Sequence, residues 1–177
     1  ATKTLAEYSS SAWSWGSSVP QHTIIQIQQT VKTTQTSRVN SNSSIDWADI
    51  SGMSCDITPR TGSKVLVQVF INLAKQSNYS CAMRVVRGST AICVATDAQT
   101  YQMAGTGFFR VGSDAEIHSH SIVFLDTSPG GDGSTAITYK MQWDGENGGS
   151  MHLNKHHGDG DNYAQARLAS TIVLMEV

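Results

Sequence analysis

Charge is scarce in this 177-residue chain: Asp, Glu, Lys and Arg make up only 15% of it, and 12 basic against 14 acidic side chains leave a net charge of -2. Holding a nucleic-acid backbone takes a dense stripe of Lys and Arg. None occurs, so nucleic acid is not expected as a partner. Cysteine is rarer still. Cys55, Cys81 and Cys93 form an odd set without CxxC spacing, each in an apolar or alternating run where a free thiol behaves as a small hydrophobe. A disulfide framework is therefore not expected, and folding in a reducing cytoplasm is the simpler reading. No apolar run approaches the ~20 residues that span a bilayer. The N-terminus lacks the charged-then-apolar order of a secretory signal, so neither membrane nor export is expected. Ala1 is what trimming of an initiator Met before a small residue leaves, and a whole gene product is expected. Amphipathic helical stripes are missing as well.

What is present is period-two alternation. Ser63–Ala74, SKVLVQVFINLA, places Val65, Val67, Val69, Ile71 and Leu73 on one side of a strand and reads as the central strand of a sheet. Its second side, with Leu66 and Phe70 among polar residues, is half apolar and is expected to be covered too. His22–Lys32 alternates with Ile25, Ile27 and Val31 on one face. Ser37–Val39 reads as a weak edge strand, Asp46–Asp49 as a short bridge, and Met53–Thr58 as a strand closed by Pro59. Ser80–Arg87 and Ala91–Ala95 form a hairpin about Gly88–Ser89. Thr96–Gly107 is ambiguous and could hold one helical turn. Glu116–Asp126 is a strand whose Ile122–Leu125 end, apolar on both faces, is expected to be buried. Ser128–Ser134, SPGGDGS, is a loop. Thr135–Trp143 points Ile137, Tyr139, Met141 and Trp143 at the core, and Leu168–Val177 closes the fold within a sheet. The sum is one all-β domain, an antiparallel β-sandwich of jelly-roll type over 22–177, preceded by an extended N-terminal arm over 1–21.

The arm carries Trp13 and Trp15, which point the same way in an extended chain, in a segment too polar to build its own core. Two readings stay open: an arm that docks on a partner, with Tyr8, Trp13 and Trp15 as its contacts, or one that folds back on its own sandwich. His118 and His120 share one strand face. With His152, His156, His157, Asp159 and Asp161 they supply ligand types a metal could use. Ile122 and Phe124 share the same face, and no spacing signature supports an ion, so neither metal nor cofactor is expected. Asp159 and Asp161 are spaced like the start of a calcium loop, but Ser170 stands where a bidentate Glu belongs. No G-x-S-x-G elbow, phosphate-binding glycine loop or Cys–His pair occurs, and an enzyme is not expected.

Several phrases resemble a β-sandwich module of virion proteins from tailed bacteriophages, especially marine ones: ISGMSCDITP (50–59), GSKVLVQV (62–69), MRVVRGSTAI (83–92), IVFLD (122–126), TYKMQ (138–142) and STIVLMEV (170–177). The likeness runs from about Thr23 to Val177 and contains no catalytic phrase. It implies a virion component assembled in the bacterial cytoplasm, a homo-oligomer, by analogy a trimer, meeting the major capsid protein or other virion proteins. Within that setting, compact length, the Trp-bearing arm and the absence of an active-site motif favour capsid decoration (cement) as the role. A tail-fibre or receptor-binding tip that binds host glycan is the alternative, and a glycan-degrading enzyme a minor third.

Overall fold

Val65, Val67, Val69, Ile71 and Leu73 are buried along one face of a single long strand, as their alternation requires. The computed structural model describes residues 23–40, 44–146 and 149–177, together with the backbone of two short strands before them. The strands are β1 (Ala6–Ser9), β2 (Ala12–Trp15), β3 (Gln26–Lys32), β4 (Thr36–Val39), β5 (Ala48–Ile57), β6 (Val65–Lys75), β7 (Ser80–Arg87), β8 (Thr90–Ile92), β9 (Gly107–Arg110), β10 (His118–Asp126), β11 (Ile137–Gly145), β12 (Ser150–Leu153) and β13 (Ser170–Glu176). Among the described residues there is no helix. Thr96–Gly107 is turns and coil leading into β9.

One sheet runs β3-β13-β6-β10, with β12 taking over from β13 along the last residues of β6 and β4 pairing outside β12; the other runs β5-β11-β7-β8, with β9 also on β7. Every pairing is antiparallel. Counting β3, β5, β6, β7, β8, β10, β11 and β13 as first to eighth, the sheets read 1-8-3-6 and 2-7-4-5. That is the double Greek key of a jelly roll, so the expected fold class is the observed one. β13 lies between β3 and β6, inside the sheet, as its composition demanded. Asp46–Asp49 is not a separate bridge: Ala48 and Asp49 already belong to β5. That strand bulges against β11 between Asp49 and Ser54, where Gly52 takes φ +79°.

Of residues 1–21, the β1 and β2 backbones pair antiparallel, Ala6 opposite Trp15 and Tyr8 opposite Trp13. The rest of the expected arm, and the side chains of Tyr8, Trp13 and Trp15, lie outside the described residues.

The core is the two inner faces: Val67, Val69, Ile71, Leu73, Ile122, Ile172 and Leu174 from the first sheet meet Met53, Ile57, Met83, Val85, Tyr139, Met141 and Trp143 from the second. A buried ion pair links its two sides. Buried Asp126 of β10 accepts Arg87 Nη1 at 2.8 and 2.7 Å and Tyr139 Oη at 2.8 Å, which joins the first sheet to β7 and β11 of the second. Burial and the hydrogen bond to Asp126 push the Tyr139 phenol upward. Arg87 also donates to Ser128 O at 2.6 Å, anchoring the 128–134 loop. There Gly133 N donates to Pro59 O at 2.9 Å, and a Cβ at Gly131 would lie 2.2 Å from that same oxygen. Asp132 accepts Ser134 N at 2.7 Å and Thr135 N at 2.6 Å, holding the far end.

Removing Asp126 leaves a half-buried guanidinium without its carboxylate. Asp126→Ala is expected to cost about 3–5 kcal/mol in urea unfolding, and Tyr139→Phe, which removes one neutral donor, about 1 kcal/mol. Equal costs would mean that the ion pair contributes nothing beyond the phenol.

Candidate interaction surface

The outer faces of the two sheets differ in kind. On the β5-β11-β7 face, Asp49 accepts Lys140 Nζ at 2.8 Å and Gln142 Nε2 at 2.6 Å. These bonds, Lys140 first, hold the Asp49 carboxyl below its usual range. Arg84 Nε donates to Gln142 Oε1 at 2.9 Å, and its guanidinium stacks 4.3 Å from the Trp47 ring. Successive strands are thus knit by polar side chains, as suits a solvated surface.

The outer face of β3-β13-β6-β10 carries no such ladder. Register places Ile27, Met175, Leu66 and Leu125 in one row; Gln29, Val173, Gln68 and Val123 in the next; Val31, Thr171, Phe70 and Ser121 in the third. None of these twelve positions is charged. Ile27 is 56% exposed, Val31 51%, Phe70 45%, Val123 64% and Leu125 40%. Single exposed apolar residues are ordinary; a contiguous field four strands wide is not. Two expectations are corrected here. The second side of β6 is not covered at Phe70, and Ile122–Leu125 is buried at Ile122 but open at Val123 and Leu125. A strand apolar on both faces is buried on both only where a third layer exists, and none among the described residues lies over this face.

β3 sharpens the point. Its inward positions are Gln26, Gln28, Thr30 and Lys32, while Ile27 and Val31 face out. A slip of one residue against β13 would exchange the two sets. The observed register instead satisfies the ladder to β13 and a bond from Thr58 N to Gln26 Oε1 at 3.2 Å. It leaves the apolar side of the strand bare.

The same face is closed further along β6, and the His-rich segment closes it. Asn72 Nδ2 donates to Ala169 O at 2.7 Å and Ser119 Oγ to Asn72 Oδ1 at 2.6 Å. Asn154, in a left-handed conformation at φ 62°, donates from its backbone N to Asn72 O at 3.0 Å and from Nδ2 to Lys32 O at 2.8 Å. Behind them His152 sits buried, its Nδ1 2.9 Å from Ser37 Oγ and its Nε2 2.9 Å from His157 Nδ1; His157 Nε2 lies 4.0 Å from Asp114. Asp159 pairs with Lys155 at 2.8 Å and with Arg167. Through His152 and Asn154 the stretch 152–161 is thus tied by polar groups to β4, β6 and β13.

His118 and His120 stand elsewhere, on the inner side of β10, with their ring centroids 4.8 and 5.1 Å from that of Phe109. His118 Nε2 lies 3.4 Å from Glu116. The buried Nε2 of His120 has no hydrogen-bond partner, and burial lowers its basicity. The two His sets thus belong to different faces of the first sheet. Among the described residues no three His, Cys, Asp or Glu side chains gather closely enough to hold an ion. Cys55, Cys81 and Cys93 are all free thiols.

No family model and no curated protein matches this chain. Among solved structures, one described as "Structure of infectious bursal disease virus Gx strain" is similar over 96% of this chain and 43% of that one, with 10% identity and a TM-score of 0.39. The chain therefore spans less than half of that structure's chain. The jelly-roll assignment rests on strand order and not on so loose a likeness.

The buried imidazole predicts acid sensitivity. Burial, then the Lys155 and His157 charges, pull His152 from 6.5 down to about 4. Between those values the unfolded chain takes up a proton that the folded one refuses, so stability falls as pH drops from 6.5 to about 4 and this contribution levels off below. The loss from this group is expected to be at most about 3 kcal/mol. Urea midpoints at pH 7 and pH 4.5 should converge in His152→Asn relative to the parent chain; an unchanged difference would place the sensitivity elsewhere.

Proposed function

We propose that this chain is a virion structural protein that works through subunit contacts and not turnover, and specifically a capsid decoration (cement) protein of a tailed phage. The observation that carries the reading is the inverted strand β3, which holds its apolar side out at the rim of an uncharged face four strands wide. A sandwich whose other outer face is knit across β5, β11 and β7 by a polar ladder exposes such a field where a neighbour covers it. The resemblance of the strand phrases to phage virion modules supplies the setting, and the jelly-roll order agrees with it. In this reading the chain forms a homo-oligomer, a trimer by that analogy, on the assembled particle. Tyr8, Trp13 and Trp15 then act as aromatic anchors on the major capsid protein or another shell component.

A receptor-binding tip is the second reading. It is favoured by Tyr101 and Tyr163, which project from loops at 90% and 105% exposure and are of the residue type that stacks on sugars. Tyr101→Ala and Tyr163→Ala should weaken adsorption to cells in that case and leave it unchanged in the first.

Deleting residues 1–21 is expected to leave a folded trimer that no longer attaches to capsids, read by sizing and by co-sedimentation with heads. Undiminished attachment of the truncated chain would remove the arm from the reading, and a monomeric parent chain would remove the trimer.

A further inference from the structure

The outer face of β3-β13-β6-β10 is open, and a two-stranded ribbon stands in the chain just before β3. Strand alternation along the β1 and β2 pairing assigns Ala6, Tyr8, Trp13 and Trp15 to one face of the ribbon, and Glu7, Ser9, Ala12 and Ser14 to the other. An isolated two-stranded ribbon is marginally stable in water and needs a surface to pack on. The fully described chain begins at Thr23, and the exposed Ile24 and Ile25 lead directly into β3, the rim strand of the apolar field. The eight residue steps from Trp15 to Thr23 can reach ~27 Å. The three inter-strand gaps from β3 to β10 amount to only ~14 Å.

Size argues the same way. Four strands by three same-face residues make a field of roughly 19 by 20 Å, about half of the ~800 Å² per partner of a standard protein–protein interface. It suits an occupant smaller than a second sandwich. The field also lacks charge, so a partner recognised by opposite charge has nothing to hold. An aromatic ribbon already tethered at the rim has an effective concentration no free partner matches.

We infer that in the free subunit the Ala6–Trp15 ribbon lies with its aromatic face on the outer face of β3-β13-β6-β10, over Phe70 and Val123, as a third layer of the sandwich. This deepens the proposed function, resting on the reading of ribbon and face as the contact surfaces. The arm is stored on its own subunit until a shell component takes it.

Chymotrypsin cleaves after Tyr8, Trp13 and Trp15, so its rate on the full-length chain reads ribbon protection. A Phe70→Lys/Val123→Lys double variant alters only positions already open to solvent. It is expected to be cleaved within the ribbon at least about tenfold faster than the parent chain, with protection unchanged on hundredfold dilution. Equal rates would overturn the inference, and protection lost on dilution would overturn it in favour of a second copy on the face. Independently of how that variant folds, a Trp13→Ser/Trp15→Ser chain should bind more of a hydrophobic dye than the parent; equal binding also overturns it. Capsid attachment is scored separately, so loss of the stored arm and loss of the capsid role are told apart.

Discussion

Hydrogen bonding along both edges of β6 constrains everything else in the molecule. β10 pairs along one edge from Val65 to Leu73, and β13 then β12 share the other. Because same-face residues recur every second position, this pairing sends Val65 to Leu73 inward as a set and Leu66 to Phe70 outward as a set. The neighbours inherit that choice. Ile122, Ile172 and Leu174 fall into the core; Val123, Val173 and Met175 cannot. The exposed field is therefore not a defect of packing but the necessary reverse side of a well-filled interior.

That division also explains what sequence could show. Alternation and turn residues marked out the long strands but not the short β9 and β12, along with the central role of β6, the core-facing set of β11 and the interior position of β13, because each of these depends on chain-local chemistry. Whether an apolar side has anything above it depends on the number of layers. Val123, Leu125 and Phe70 read as buried from composition, and the jelly roll supplies two layers where they need three. The inverted orientation of β3 carried a signal, Ile27 and Val31 against Gln26, Gln28 and Thr30, but the sense in which it faces is decided by β13. Spatial grouping of the histidines was equally out of reach: His118 and His120 lie on the inner side of the first sheet and His152 on its outer side, which no spacing in the chain reveals.

The functional reading follows from the contrast between the two outer faces and from the segment tethered at the rim of one of them. A polar ladder such as Asp49–Lys140–Gln142–Arg84 competes well with water and has no need of a partner. A field of Ile, Val, Leu, Met and Phe, interspersed with Gln, Thr and Ser but without a charge, gains free energy when water leaves its apolar part, at roughly 25 cal/mol per Å². Contacts made through such a field are non-directional, and the aromatic anchors of the N-terminal segment would supply the geometry that the field lacks.

The corner at 128–134 has its own consequence. Composition marks SPGGDGS as the most expendable stretch of the chain, a natural place for an inserted tag or label. Yet Gly131 presses against the Pro59 carbonyl with no room for even a methyl group, Arg87 grips one end through Ser128, and Asp132 fastens the other. It behaves as a locked hinge pin joining the entry of the central strand to the exit of β10, so grafted epitopes belong at Tyr101 or Tyr163 and not there.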